Sequence, residues 1–355
     1  MQKIFKQLKS KKTFKSLKSG IRPVKVELNN GNSLPEIHFS DGSISPGSCI
    51  HCIKPKCIEY SESELQLDLI KDFPMDRNNH VCPTNAIQWP IDSACPIINN
   101  DYCISCGICV SRCPVYALTI TDRGVIINDS PNDNFILQDE LLDEANFNRL
   151  LKIFSKIQTN GCYFTETDKR ISTLYKRINS LIPHLGSQFP NHLSRNLLIS
   201  IGIKTAMRRR GDTYIRMDLI AELNEMIGTG EVEFSNQVLD APRNILDDVA
   251  ILIARYEINK NSVIPIIVCL SLPNQRSEYW QIIQDIFNVL KIKINSVTLG
   301  VLIVLVWSKY YAGFTTNDIL YIEPSKYSIK EKVESLLGRK LNISEGYPGF
   351  IESLK

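Results

Sequence analysis

The rhythm of hydrophobic and polar positions changes along this chain. Over residues 24–44, apolar and polar side chains alternate around Asn30-Gly31 and Asp41-Gly42, the pattern of short strands joined by tight turns. A block dense in cysteine follows and runs to Pro114. Residues 117–127 alternate again and read as two strands around a turn at 122–124, and the polar stretch 128–134, which contains Pro131, marks a domain boundary. Beyond residue 135 the period becomes helical, with amphipathic helices expected over 138–157, 166–183 and 191–209. Strands and helices then alternate: strands at 213–223 and 230–234, a helix at 243–256, a strand at 263–270, a helix at 277–290 and a buried strand at 296–307. The pattern predicts a tail over 1–25, an α+β domain over 26–130 and an α/β domain over 135–355.

Charge refines this division. The net charge is +3, yet residues 1–25 hold nine Lys or Arg and no acid, so the remainder of the chain carries about −6. Phe14, Leu17 and Ile21 fall at helical spacing within that basic start. The tail is either an amphipathic segment for an acidic surface or a solvated terminus. No apolar core of signal-peptide length follows its charges. The longest nearly apolar run, 297–307, has 11 residues and falls short of the ~18–20 that cross a bilayer, so no membrane span is expected.

Of the 11 cysteines, nine lie between Cys49 and Cys113. Dense thiols without an export signal point to metal ligands in a reducing cytoplasm rather than disulfides. Cys103-x2-Cys106-Gly107-x-Cys109-x3-Cys113-Pro114 has the spacing of a cubane-binding run, and Gly107 allows the backbone to curl around inorganic sulfide. A second, distorted copy stands upstream as Cys49-x2-Cys52-x4-Cys57, followed after a 24-residue insertion by Cys82-Pro83. Four-cysteine zinc sites share the Cys-x2-Cys element, but they use two separated pairs rather than a triplet followed by Cys-Pro.

The two copies together resemble the bacterial dicluster ferredoxins. That resemblance implies a ferredoxin-like fold for the N-terminal domain and two 4Fe-4S clusters. One would sit on Cys49, Cys52, Cys57 and Cys113, the other on Cys103, Cys106, Cys109 and Cys82. Cys95-Pro96 competes with Cys82 as remote ligand. Cys82 is preferred because Ala86-Ile87 after it copies the Ala117-Leu118 that follows the other Cys-Pro, whereas Cys95 is followed by bulky Ile97 and Ile98. Cys95, Cys162 and Cys269 then read as ordinary thiols.

The C-terminal domain offers a different chemistry. Arg208-Arg209-Arg210 and Asp218 precede Gly228-Thr-Gly230-Glu231-Val-Glu233, and residues two apart on a strand share a face. Glu231 and Glu233 with Asp218 could hold Mg2+ or Mn2+ through oxygen ligands, or the two glutamates could lie on a solvent face opposite Val232 and Phe234. The arginines could meet phosphates, or could simply cap a helix end. Here the sequence resembles the PD-(D/E)xK restriction-endonuclease-like nucleases. The resemblance implies Asp218, Glu231 and Glu233 as catalytic positions, Asp218 and Glu231 as metal ligands, and DNA or RNA as partner. Glu233 stands where that family has Lys, leaving Lys204 and Gln237 as substitutes.

His38, His51, His80, His184 and His192 show no metal-ligand spacing. A Gly-rich nucleotide loop and a Gly-x-Ser-x-Gly elbow are both absent. Two readings therefore follow: a cytoplasmic two-cluster protein fused to a metal-dependent nuclease, and an electron-transfer ferredoxin serving a redox partner protein.

Overall fold

The computed structural model describes residues 49, 55–90, 93, 95–113, 117–127, 162–212, 215–311, 328–344, 347 and 349–353. The basic tail, the strands expected over 24–44, the helix expected over 138–157, the polar stretch 128–134, His38, His51 and Cys52 lie outside them. The chain divides into two units, Met1–Glu59 with His80–Phe164, and Tyr60–Asn79 with Thr165–Lys355. Most of the insertion between Cys57 and Cys82, which falls within the domain expected over 26–130, belongs to the second unit.

In the first unit, β1 (Ile87–Gln88) pairs antiparallel with β2 (Ile97–Ile98), and β3 (Leu118–Thr121) with β4 (Gly124–Ile127). The latter hairpin is the one its alternation predicts, with Leu118, Ile120 and Val125 turned inward. Ile108–Ser111 form a single helical turn. The described strands are only two or four residues long, and a small unit with so little apolar surface gains much from a bound cofactor.

The second unit is built on a five-stranded sheet in the order β5 (Lys204–Met207), β6 (Leu219–Leu223), β7 (Met226–Glu233), β8 (Val263–Cys269), β9 (Asn295–Thr298). The first three strands run antiparallel; β8 and β9 run parallel to β7 and are reached through α3 (Ala241–Arg255) and α4 (Glu278–Leu290), the crossover connections that parallel pairing requires. Two helices precede the sheet, α1 (Asp168–Leu181) and α2 (Phe189–Ser200), and α5 (Leu299–Trp307) and α6 (Ile329–Leu337) follow it. Thr167 caps α1 by accepting the Arg170 N–H, and Ile171, Leu174 and Ile178 form its buried stripe.

Four expected elements are corrected. The helix over 191–209 ends at Ser200, because Gly202 adopts φ +92° and turns the chain into β5. The strand over 213–223 is confined to Leu219–Leu223, while the one at 230–234 is the longer Met226–Glu233. The run over 296–307 is four residues of strand and then a helix: Thr298 ends β9 and caps α5, its hydroxyl accepting the Val301 N–H. All nine residues of α5 are buried, so an apolar run without period cannot distinguish strand from helix there.

A buried ion pair ties the start of this unit to its end. Glu166 accepts both Arg339 guanidinium nitrogens, at 2.7 and 2.9 Å, and the Asn342 N–H at 2.9 Å. Burial alone would raise the Glu166 pKa; the Arg339 and Asn342 hydrogen bonds outweigh it and leave the carboxyl below its usual range. Among the described residues, no helix is long and apolar enough to cross a membrane.

Candidate iron–sulfur site

Four cysteines of the first unit converge on one cavity. The cavity is lined by Cys82, Cys103, Cys106 and Cys109, with Val81, Ile87, Ile98, Ile104, Ile108 and Val125 among its apolar walls. Cys103, Cys106 and Cys109 arrive on one loop and the helical turn after it. Gly107, at φ +85°, reverses the backbone there, and Ser105 takes the same left-handed region at φ +58°. Cys82 arrives from the segment before β1, whose Ile87 pairs with Ile98.

Backbone N–H groups aim at the sulfurs. The Ala86 N–H donates to Cys82 Sγ at 3.2 Å, with Asn85 at φ +53° turning the chain to allow it, and the Thr84 hydroxyl lies 3.4 Å from the same sulfur. The Ala117 N–H donates to Cys113 Sγ, also at 3.2 Å. The alanine four residues after each cysteine thus donates its N–H to that cysteine's sulfur. Ser105 N–H donates to Cys103 Sγ at 3.4 Å. Cys95 is not among the cavity's lining residues; its N–H and its carbonyl are engaged by the Ser93 hydroxyl.

Burial pushes the Cys106 thiol far above its ordinary pKa, with the Cys82 sulfur next in effect. Cys109 is raised in the same way, by burial and then by Cys106, Cys82 and Cys103. Neighbouring sulfurs that oppose the ionisation of Cys106 and Cys109 fit a group that brings its own positive charge, since a metal-bound thiol is deprotonated outright. Thiol donors, N–H groups directed at sulfur and a cavity among them fit a 4Fe-4S cluster.

Of the other predicted ligand set, Cys49, Cys57 and Cys113 are buried, and Cys52 lies outside the described residues. Tyr163 was not singled out in the sequence. Its phenol is pushed up to about 12 by burial and then by Cys113, which places it near that sulfur.

Residues 96–119 match the family model of the 4Fe-4S binding domain. This part of the chain is a 4Fe-4S ferredoxin-type domain. The ferredoxin-type protein NapF of Haemophilus influenzae is 46% identical over 44 residues, 12% of this chain and 25% of that protein. An uncharacterized ferredoxin of Methanocaldococcus jannaschii is 31% identical over 90 residues, 22% of this chain and 57% of that one. The chain therefore spans about a quarter and somewhat over half of these two relatives. No solved structure matches it. The ferredoxin-type domain lies within the unit that holds the cysteine cavity.

The carboxylates predicted in the second unit occupy a separate place. Asp218 stands just before β6; its Oδ1 accepts from Asn191 Nδ2 at 3.0 Å and its Oδ2 from the Val232 N–H at 3.1 Å, while Arg208 lies 3.7 Å away. Burial raises the Asp218 pKa despite these donors. Burial, followed by the charge of Asp218, pushes Glu231 up to about 7, against a hydrogen bond from Asn244. Glu231 is therefore half-buried rather than on an open face. Glu233 turns to Ser235, accepting its N–H at 2.8 Å and its hydroxyl at 2.5 Å.

Asp248 on α3, missed in the sequence, joins the group: burial, then Glu231 and Asp218, push it up to about 8, and Thr229 lies at 3.4 Å. The arginines are not a helix end; they follow β5. Lys204 sits at the other end of β5, bound to Asp68 at 2.9 Å, which leaves Arg208 as the cation beside Asp218. The Gln237 side chain lies outside the description. Among the described residues, no group of three or more His, Cys, Asp or Glu is placed to hold one metal ion.

Proposed function

We propose that this chain is a two-cluster iron–sulfur electron carrier that serves a redox partner protein, with one 4Fe-4S cluster on Cys82, Cys103, Cys106 and Cys109 and a second on Cys49, Cys52, Cys57 and Cys113. The observation that carries the reading is the cavity on which the first four sulfurs converge. A cubane supplies one-electron chemistry when bound. The chain's own contribution is electrostatic: N–H groups of Ala86 and Ser105 stabilise charge on Cys82 and Cys103, while apolar walls such as Ile104 and Ile108 oppose it by burial. Cys113 joins the two sets, following the triplet in sequence while standing in the other ligand group. The partner reading draws on the similarity to the ferredoxin-type protein NapF. Anaerobic redox titration followed by electron paramagnetic resonance tests it. Reversible one-electron signals support electron transfer, and clusters that cannot be cycled without loss of iron would leave only a structural role.

A second reading attaches to the second unit, a divalent-metal-dependent nuclease acting on DNA or RNA. What supports it is the succession α2-β5-β6-β7-α3-β8, with Asp218 just before β6 and Glu231 on β7, electrostatically linked to each other. The lack of a three-ligand group among the described residues weighs against it. Incubation of the cluster-loaded protein with plasmid DNA and with RNA in Mg2+ or Mn2+ decides, beside Glu231→Ala: cleavage lost in the variant supports it, and no cleavage in either redox state removes it.

A further inference from the structure

The insertion between Cys57 and Cys82 leaves the first unit at Glu59 and returns to it at His80. Its ends are tied together. The Val81 N–H donates to the Ile58 carbonyl at 2.9 Å, Glu59 bridges His80, and the Tyr60 N–H donates to the Asn79 carbonyl at 2.8 Å. Between these ends, residues 60–79 are a working part of the second unit. Leu67, Ile70 and Phe73 are buried in the same core as Met217, Ile220 and Leu252. Glu222 of β6, 5% exposed, accepts three successive N–H groups of this segment, from Asp68 at 2.7 Å, Leu69 at 2.8 Å and Ile70 at 3.1 Å. If the segment left, that carboxylate would lose all three donors, at the cost of a buried unsatisfied charge.

The segment then joins the continuation of β5. Met75 bridges Arg208, the Asp76 N–H donates to the Met207 carbonyl at 2.8 Å, and the Arg209 N–H donates to the Pro74 carbonyl at 2.8 Å. Arg208, held in this pairing, also donates its backbone N–H to the Asp218 carbonyl at 3.0 Å and sets its guanidinium 3.7 Å from that carboxylate. An unbroken series of covalent and hydrogen bonds thus runs from the flanks of Cys57 and Cys82 to Asp218.

We infer that residues 60–79 are a coupling arm, through which cluster occupancy in the ferredoxin-type unit controls how firmly Arg208 is held beside Asp218. The inference rests on the reading of Cys57 and Cys82 as ligands. Cluster binding fixes both ends of the arm, which lowers the conformational entropy lost when the arm docks on Glu222. Loss of the clusters frees the ends and loosens the dock, and the paired stretch at Arg208 loosens with it.

Amide hydrogen exchange of the full chain tests this, comparing anaerobically loaded protein with protein stripped by a chelator. Iron removal is expected to speed exchange at the 68–70 and Arg209 amides by at least about tenfold while the β8 amides keep their rates. Unchanged rates at 68–70 and 209 in iron-free protein would overturn the arm, and so would an equal rise in β8, which would mean global unfolding of the unit. Glu222→Ala should speed the same amides in loaded protein without loss of iron; continued protection there would also contradict the inference. Cys82→Ser is read by iron content: retention of all the iron would overturn the ligand reading, while the chelator comparison still decides the arm.

Discussion

The cysteine cavity of the first unit and the carboxylate group of the second are both assemblies of mutually repelling acids, and they resolve that repulsion differently. At the cavity, four cysteines line one space, and Cys82 and Cys103 each accept a backbone N–H. Around Asp218, the donors Asn191, Val232 N–H and Arg208 satisfy a single carboxylate, while burial and neighbouring charge raise Glu231 and Asp248 toward neutral pH. The first arrangement leaves a place for a cationic cluster. The second lowers its own charge by taking up protons. Convergence on a cavity, rather than acid density alone, separates the two.

The largest effect that would break this contrast is at the cavity. Cys106→Ser is expected to remove about four iron atoms per chain, read by metal analysis and loss of visible absorbance. An unchanged iron content would return the cavity to an ordinary packing defect. Next in size, Arg339→Met strands the buried Glu166 carboxylate and should destabilise the second unit by about 3 kcal/mol, read by chemical denaturation. Because the folded pKa of Glu166 is lowered, its contribution is present above the unfolded carboxylate pKa and disappears as pH falls through the folded value.

Glu231 and Asp248 have the opposite sign. Their folded pKa values of about 7 and about 8 lie above the ordinary 4.5 and 3.8, so the native state holds more protons than the unfolded one between those limits. Stability of the second unit should fall as pH rises from about 4 to about 8. Asp248→Asn should flatten that slope, read by denaturation at several pH values; an unaltered slope would show that Asp248 is not held protonated above its ordinary range in the folded unit. Mg2+ sharpens the same comparison, since raised stability lost in Asp218→Asn would mean that an ion neutralises the group in place of protons. The smallest effect is at Cys95, outside the cavity: Cys95→Ser should leave iron content unchanged and stability within about 0.5 kcal/mol.

Legibility in the sequence followed the same contrast. Cys103, Cys106 and Cys109 lie on one short run whose spacing is set by local backbone geometry, so their convergence could be read from order alone. The choice of Cys82 over Cys95 rested on the Ala86 and Ala117 echo; in the fold those two alanines donate their N–H groups to the Cys82 and Cys113 sulfurs. Asp248 was hidden because it meets Glu231 across a helix-to-strand contact that no local pattern encodes. The arm escaped for a similar reason: Leu67, Ile70 and Phe73 look like a loop's stray hydrophobics until Met217 and Ile220, far along the chain, cover them. The 296–307 run misled because continuous burial erases the period that distinguishes helix from strand.

Most direct is a count of iron and acid-labile sulfide in anaerobically purified full-length protein, for the natural chain and for Cys82→Ser. Two clusters on the proposed ligands require about eight of each per chain, falling to about four in the variant. Zinc without sulfide, or a full complement retained in Cys82→Ser but halved in Cys95→Ser, would contradict them.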